Sequence, residues 1–153
     1  WRRVFETNVT GAALVTAAAV PHLFASSGTA VYLSSVSASQ TPPWPGLGAY
    51  AVSKAALDKL VEAWRNEHPA IGFTRLVVGE CGGGVGDAQT EFAAGWDRAL
   101  AAEVVPTWLA RNYMTGALMD ARRLVDMVEQ IAACDPSMSM PSVSVAPRHV
   151  QPA

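Results

Sequence analysis

Cysteine is scarce in this sequence. Two of its 153 residues are cysteines, Cys81 and Cys134, and their positions match no metal-ligand spacing. Reducing compartments keep such isolated thiols free, whereas small secreted domains pair several cysteines in disulfides. We therefore predict two free thiols, no metal site and a cytoplasmic location.

Charge and long apolar runs are scarce too. Charged residues make up 16% of the chain and the net charge is -2, whereas nucleic acids and acidic membranes are bound through clustered positive charge. A membrane-spanning helix needs about 18 uninterrupted apolar residues. The alanine-rich stretch 11–20 is shorter than that. We expect neither a nucleic-acid partner nor a membrane partner.

Apolar residues make up 50% of the chain, in helix-like and strand-like segments that alternate. The predicted helices are 1–26, 49–67, one or two helices within 88–112 with a break near Pro106, and 118–133. The predicted strands are Thr29–Ser35, Phe73–Val78 and Pro141–Ala146. Such alternation implies right-handed crossovers and a parallel sheet. The pattern predicts half of a doubly wound, three-layer α/β fold, in one domain from 1 to 146 with a loose tail from 147 to 153.

Proline and glycine mark the predicted connections. Pro21 is expected to bend or end the first helix, because proline has no backbone N–H to donate. The segment 26–28 indicates a turn, 41–46 a rigid proline-rich loop, and 79–86 a glycine-rich loop.

One predicted helix carries a tyrosine and a lysine four residues apart, Tyr50 and Lys54. Residues at that spacing lie on the same face of a helix, so the phenol and the ammonium converge. A nearby cation favours the phenolate, so we expect Lys54 to lower the pKa of Tyr50. The preceding strand ends in Ser34 and Ser35, and a hydroxyl there can hold an oxygen that the tyrosine protonates.

Three ordered segments of the chain resemble the short-chain dehydrogenase/reductase family. Segment 1–23 resembles the helix with the catalytic asparagine, which falls on Asn8, and segment 28–35 resembles the strand that ends in the catalytic serine, Ser35. Segment 50–57, with Tyr50 and Lys54, resembles the catalytic helix. The resemblance implies the C-terminal portion of a Rossmann-like domain that uses NAD or NADP.

The resemblance also implies a role for each matched residue. Tyr50 is the general acid in carbonyl reduction and the base in alcohol oxidation. Lys54 lowers the pKa of Tyr50 and hydrogen-bonds the nicotinamide ribose, and Ser35 positions the substrate oxygen. Asn8 holds a water molecule that links Lys54 to solvent as a proton relay. The nicotinamide itself transfers the hydride.

The chain departs from the family pattern after each of the first two strands. The gap between Ser35 and Tyr50 is slightly longer than usual, so Ser37 remains an alternative to Ser35. After the second strand the family has Pro-Gly, where this chain has Gly79-Glu80. Gly79 and Glu80 are therefore the expected backbone contacts to the cofactor, and Thr90 is a candidate for the threonine that holds the carboxamide.

A larger departure is the glycine-rich turn that binds the cofactor pyrophosphate in this family. No such turn precedes the catalytic residues in this sequence. Typical domain sizes in the family imply that about 90–100 further residues precede Trp1. The residue that selects NAD or NADP lies in the same part of the family fold, so the preference stays open.

Aromatic residues cluster where the family places its substrate-covering helices. Trp96, Trp108, Tyr113 and Met114 either line the substrate site or pack in the core, and the sequence leaves both open. The loop around Trp44 is expected to border the substrate cleft. An apolar segment from 88 to 118 favours a hydrophobic small-molecule substrate.

Two functions follow from these observations. The first is an NAD(P)-dependent oxidoreductase that interconverts a carbonyl and a secondary alcohol. The second is a catalytically inactive family member that acts only through subunit association. In the family, the helices that match 1–26 and 49–67 pack against a partner subunit, so the resemblance implies a homo-oligomer in either case.

Overall fold

The computed structural model describes residues 1–83, 95–114 and 117–148. In that part of the chain the elements follow one another as α1 (Arg2–Phe5), a π-helix (Glu6–Gly11), α2 (Ala12–Ser26), β1 (Thr29–Ser35), α3 (Val36–Ser39), α4 (Gly48–Glu67), β2 (Gly72–Val78), β3 (Cys81–Gly82), α5 (Arg98–Ala110), β4 (Met119–Asp120), α6 (Ala121–Ala132) and β5 (Ser142–Val145). Strands β1, β2 and β5 form a parallel sheet in the order β1-β2-β5, and β3 pairs with β4 in a second, two-stranded parallel sheet. The predicted α/β architecture is confirmed.

The first helix is continuous from Arg2 to Ser26 but contains a π-helical turn, which the sequence analysis did not predict. Pro21 lies inside α2 and does not end it. Its side chain is exposed, so water can satisfy the carbonyl that loses its N–H partner. The helix ends where Ser27 adopts φ 49° and Gly28 N–H donates to Leu23 O at 2.8 Å, a left-handed helix cap.

This first helix meets the length and composition expected of a membrane span. It has 25 residues from Arg2 to Ser26. A stretch of 18 of them has a mean hydropathy of 1.5, and 6% of that stretch is buried. Two polar contacts attach it to the rest of the chain, from Asn8 to Ser53 at 2.9 Å and from Thr16 to Tyr32 at 2.6 Å. One apolar helix next to a terminus is weak evidence for a membrane, and the absence of a membrane partner stays a prediction.

The strand β1 has the predicted boundaries and pairs with β2 over its whole length, from Thr29 opposite Gly72 to Ser35 opposite Val78. Helix α4 begins one residue before its predicted start. It packs on the face of the sheet that carries Tyr32 and Phe73. The core on this side consists of Tyr32, Leu57, Val61, Ile71 and Phe73.

The second half differs from the prediction in three places. Pro106 lies inside α5, which runs unbroken from Arg98 to Ala110; the side chain is exposed, as it is at Pro21. Part of the predicted glycine-rich loop forms β3, which pairs with β4 just before α6. The helix predicted from 118 therefore begins at Ala121, with the Asp120 carboxylate accepting from Arg122 N–H at 2.9 Å as its cap.

Candidate active site

The predicted catalytic residues meet at the carboxyl ends of β1 and β2. Ser35 is the last residue of β1, and its sheet partner is Val78, so Gly79 follows at the same edge. Helix α4 begins beside this edge and brings Tyr50 and Lys54 to it on its first turns. Parallel strands bind ligands at this end, so the sheet gathers the predicted residues where a ligand would lie.

Ser35 and Ser37 form a buried hydroxyl pair, with their Oγ atoms 2.9 Å apart. Ser37 N–H also donates to Ser35 Oγ at 3.2 Å, which caps the short helix α3. The Ser35 side chain also acts on Tyr50, where its hydrogen bond lowers the pKa of the phenol. The choice of Ser35 over Ser37 as the catalytic serine stays a prediction, and the two hydroxyls are hydrogen-bonded to each other.

The pKa of Tyr50 shifts in the direction opposite to our prediction. Burial of the phenol raises its pKa, and the hydrogen bond from Ser35 lowers it by less. Lys54 Nζ lies 5.7 Å from the ring centroid of Tyr50. Burial therefore sets the direction of the pKa shift, and the phenol keeps its proton at neutral pH.

Lys54 donates to the carbonyl oxygen of Leu33, at 2.7 Å from Nζ. Carbonyls along a strand alternate between its two edges, and Gly28 O faces β2, where it accepts from Gly72 N–H at 3.0 Å. Leu33 O therefore faces the opposite edge of β1, which has no neighbouring strand in the described part of the chain. Burial lowers the pKa of Lys54, and the negative charge of Asp58 partly opposes this.

Asn8 reaches the site through a residue that the sequence analysis missed. Its Nδ2 donates to Ser53 Oγ at 2.9 Å, and Ser53 Oγ donates to the backbone carbonyl of Tyr50 at 2.7 Å. The relay water predicted between Asn8 and Lys54 stays a prediction. The signal for Ser53 was available in the sequence, because a serine on a helix commonly bonds the carbonyl three or four residues earlier.

Gly79 and Glu80 follow β2 as predicted, but neighbouring residues explain the glycine. A Cβ at Gly79 would lie 3.2 Å from Ala146 Cα and Cβ, so close packing against the end of β5 requires the small residue. Glu80 O accepts from Met119 N–H at 3.1 Å next to the β3–β4 pair. Thr90, the candidate for the carboxamide, lies outside the described residues.

The aromatic residues form one contacting group between the 41–46 loop and α5. The Trp44 ring lies 5.3 Å from Trp108 and 5.8 Å from Tyr113, and Trp96 meets Trp108 edge-on at 5.6 Å. Trp108 is buried and donates to Pro45 O at 2.9 Å, so this residue packs the loop against the helix. Met114 is half-buried.

A cavity of about 140 Å³ opens beside this aromatic group. Its wall consists of Gly46, Leu47, Trp96, Asp97, Leu100, Ala101, Val104 and Trp108. Asp97 caps α5, where its Oδ1 accepts from Ala99 and Leu100 N–H. With that carboxylate engaged, the remaining wall is mostly apolar.

The described residues contain no group of three or more metal-ligating side chains. Cys81 and Cys134 are both free thiols, as predicted. Burial raises the pKa of Cys81, and the charge of Asp120 adds to this effect.

The model of one protein family, the short chain dehydrogenases, matches residues 1–96. The chain belongs to the short-chain dehydrogenase family. The match spans Asn8, Ser35, Tyr50 and Lys54. No curated protein sequence matches the chain.

Solved structures of short-chain dehydrogenases share its Rossmann-like fold. An alcohol dehydrogenase from Thermococcus sibiricus, complexed with 5-hydroxy-NADP, has a TM-score of 0.69 at 16% identity over 97% of this chain and 54% of that one. TT0495 protein from Thermus thermophilus has a TM-score of 0.68 at 24% identity over 95% and 59%. A short-chain dehydrogenase from Streptomyces avermitilis has 0.62 at 22% over 94% and 52%. The chain spans little more than half the length of these structures.

Proposed function

We propose that this chain supplies the catalytic half of an NAD(P)-dependent oxidoreductase that interconverts a carbonyl and a secondary alcohol on a hydrophobic small molecule. The observation that carries the proposal is the half-buried Tyr50 phenol, which has Ser35 as a side-chain partner and Lys54 Nζ 5.7 Å from its ring centroid. These three groups meet at the carboxyl ends of parallel strands, where α/β folds bind their ligands.

The chemistry assigned to the chain is proton transfer. A reduced nicotinamide, when bound, supplies the hydride that adds to the carbonyl carbon. Tyr50 donates its phenolic proton to the carbonyl oxygen, and Ser35 holds that oxygen in place. Since burial raises the pKa of Tyr50, the phenol is protonated at neutral pH and suits reduction. Oxidation needs a closer approach of Lys54, whose charge favours the phenolate.

The residues present suit one end of the cofactor. Lys54 and Tyr50 offer two donors for ribose hydroxyls. Asn8 is connected to the backbone of Tyr50 through the hydroxyl of Ser53. Gly79 does not argue for the cofactor, because Ala146 already occupies the space beside it. No glycine-rich pyrophosphate turn occurs in these 153 residues. The 5-hydroxy-NADP bound to the Thermococcus alcohol dehydrogenase supports a nicotinamide cofactor without deciding between NAD and NADP.

The apolar cavity beside Trp96 and Trp108 supports the hydrophobic substrate. Its volume of about 140 Å³ suits a ring or a short alkyl group. Two of its wall residues, Gly46 and Leu47, directly precede α4, the helix that carries Tyr50. An apolar group bound there would leave the carbonyl of the same molecule to reach the catalytic edge. The proposed substrate class is therefore a ketone or secondary alcohol with one apolar arm.

Calorimetric titration of the 153-residue chain with NADH and NADPH tests this proposal. We expect saturable binding that Lys54→Met weakens, because the ammonium is lost from the ribose site. Lys59→Met is the matched control, since Lys59 is exposed and pairs with Glu62. If neither cofactor binds, the chain alone is not the enzyme.

A second function is favoured by apolar residues exposed on the helices. Leu14 and Val15 on α2 are 67% and 70% exposed, and Val52 on α4 is 48% exposed. We propose homo-oligomerisation through these helices, with or without catalysis, since such surfaces mark interaction sites. Sedimentation equilibrium tests it. A well-folded chain that stays monomeric at all concentrations would contradict association.

A further inference from the structure

Helix α4 places cationic side chains on strand carbonyls that have no strand opposite them in the described part of the chain. Near the end of the helix, Arg65 donates to Phe73 O at 2.9 Å and to Pro141 O at 2.8 Å, at a level of β2 where β5 has not yet begun. Near its start, Lys54 Nζ donates to Leu33 O at 2.7 Å. In both places a side chain of α4 occupies the acceptor that a strand N–H would otherwise take.

The open edge of β1 has the features of a strand that pairs with other chains. Its residues, Thr29–Ser35, include no charged residue and no proline, and an exposed edge of that composition readily adds further strands. Leu33 is 47% exposed there. Because backbone groups alternate between the two edges of a strand, those of Val31, Leu33 and Ser35 face this edge, beside which the described residues form no further strand.

The Lys54 ammonium opposes pairing at this edge in two ways. Its bond to Leu33 O is charge-assisted, and such bonds are roughly twice as strong as neutral N–H···O bonds. A strand that added here would therefore replace a stronger bond with a weaker one. Two copies that joined through this same edge would be related by a two-fold axis, which brings both ammonium groups to one seam, where like charges repel.

We propose that Lys54 closes the open edge of β1 against a second copy of this chain, so that a strand can add beside β1 only by displacing the ammonium from Leu33 O. This role goes beyond the proposed reaction and does not depend on a cofactor. It also concerns a different surface from the exposed apolar residues Leu14, Val15 and Val52, through which the helices are proposed to associate.

Sedimentation velocity over a range of protein concentrations tests this role. Lys54→Met loses the ammonium and should undergo an additional association at about tenfold lower concentration than the unaltered chain, the factor that one charge-assisted hydrogen bond is worth. Lys54→Arg keeps the charge and the donors and should behave like the unaltered chain. Lys59→Met is the matched control, because it removes the same charge from an exposed position on the same helix. If Lys54→Met associates no more readily than Lys59→Met, the proposal is wrong.

Hydrogen exchange of the backbone amides locates the association. The N–H groups of Val31, Leu33 and Ser35 should exchange about tenfold more slowly in associated Lys54→Met, because they gain hydrogen-bond partners from the second copy. Tyr32 is the internal reference, since its N–H faces β2 in the alternation along the strand and should not change. Association that leaves the three edge amides unprotected would overturn the proposal.

A measurement on the unaltered chain covers the case in which Lys54→Met does not fold. The chain has two lysines, Lys54 and Lys59, so labelling lysine with nitrogen-15 and the leucine carbonyls with carbon-13 gives a simple spectrum. We expect a coupling across the hydrogen bond from Lys54 Nζ to the Leu33 carbonyl carbon, and none from Lys59, which pairs with Glu62. Absence of the Lys54 coupling would overturn the proposal. A chain that shows this coupling but binds neither NADH nor NADPH would contradict the proposed function alone.

Discussion

Tyr32 and Tyr50 are similar in chemistry and different in place. Burial raises the pKa of both phenols, and each has one hydroxyl partner that lowers it, Thr16 for Tyr32 and Ser35 for Tyr50. Tyr32 lies in the core between α2 and α4, stacked 6.4 Å from Phe73. Tyr50 lies at the strand ends. A shifted pKa therefore does not distinguish the candidate catalytic residue from the structural one.

Lys54 and the surrounding edge of the sheet do distinguish them. Tyr50 has an ammonium 5.7 Å from its ring centroid, and its hydroxyl partner Ser35 is the last residue of a parallel strand. Tyr32 points into apolar side chains of two helices and a strand. The candidate catalytic tyrosine is therefore recognised by its position at the carboxyl end of the sheet and by the ammonium near its ring.

The largest expected difference between the two tyrosines is in turnover, when each phenol hydroxyl is removed in turn. Tyr50→Phe is expected to lower ketone reduction about 100- to 10,000-fold, the range for loss of a general acid. Tyr32→Phe should retain most turnover, because that phenol contacts no reacting group. The measurement is steady-state NAD(P)H oxidation by each purified variant. Comparable loss in both variants would mean that folding, rather than proton transfer, limits the rate.

The local parts of this fold were predictable from the sequence. The strand Thr29–Ser35 was predicted with its observed boundaries and α4 within one residue, because apolar periodicity and the flanking turn residues are local signals. The prolines at 21 and 106 misled the prediction. Both lie on exposed helix faces, where water replaces the lost hydrogen bond.

Contacts between distant segments were not predictable. The two-residue strands β3 and β4 exist only because residues 81–82 meet residues 119–120. The direction of the Lys54 side chain depends on an edge carbonyl, Leu33 O, which helical spacing alone does not reveal. The sequence thus placed the four catalytic candidates on the right elements, and it missed Ser53, which contacts one of them and the backbone of another.

The hydroxyl partners of the two tyrosines offer a second, smaller test. Thr16→Val removes the 2.6 Å contact to Tyr32 inside the core, and should lower the free energy of unfolding by about 1–3 kcal/mol. Ser35→Ala removes the α3 cap and should cost about 1 kcal/mol. Denaturant titrations measure both changes.

Turnover should depend more on the partner of Tyr50 than on the partner of Tyr32, the reverse of the order expected for stability. Ser35→Ala removes the group proposed to hold the substrate oxygen, so its kcat/KM should fall, whereas Thr16→Val should change kcat/KM little. The pKa of each tyrosine should rise when its own partner is lost, since both hydroxyls lower it. If Thr16→Val impaired turnover more than Ser35→Ala, the assigned roles of the two tyrosines would be wrong.

The smallest expected effect is on stability at alkaline pH. Both phenols have folded-state pKa values above the ordinary 10.0, so between that pH and the folded values the folded chain binds more protons than the unfolded chain. The stability that this contributes is present below about pH 10 and is lost as pH rises through the folded pKa values. Lys54 acts in the opposite direction, because its folded pKa lies below 10.5. Tyr32→Phe and Tyr50→Phe should each flatten the alkaline decline, measured as denaturant midpoints against pH. A decline in both variants as steep as that of the unaltered chain would mean that neither phenol is shifted upward by burial.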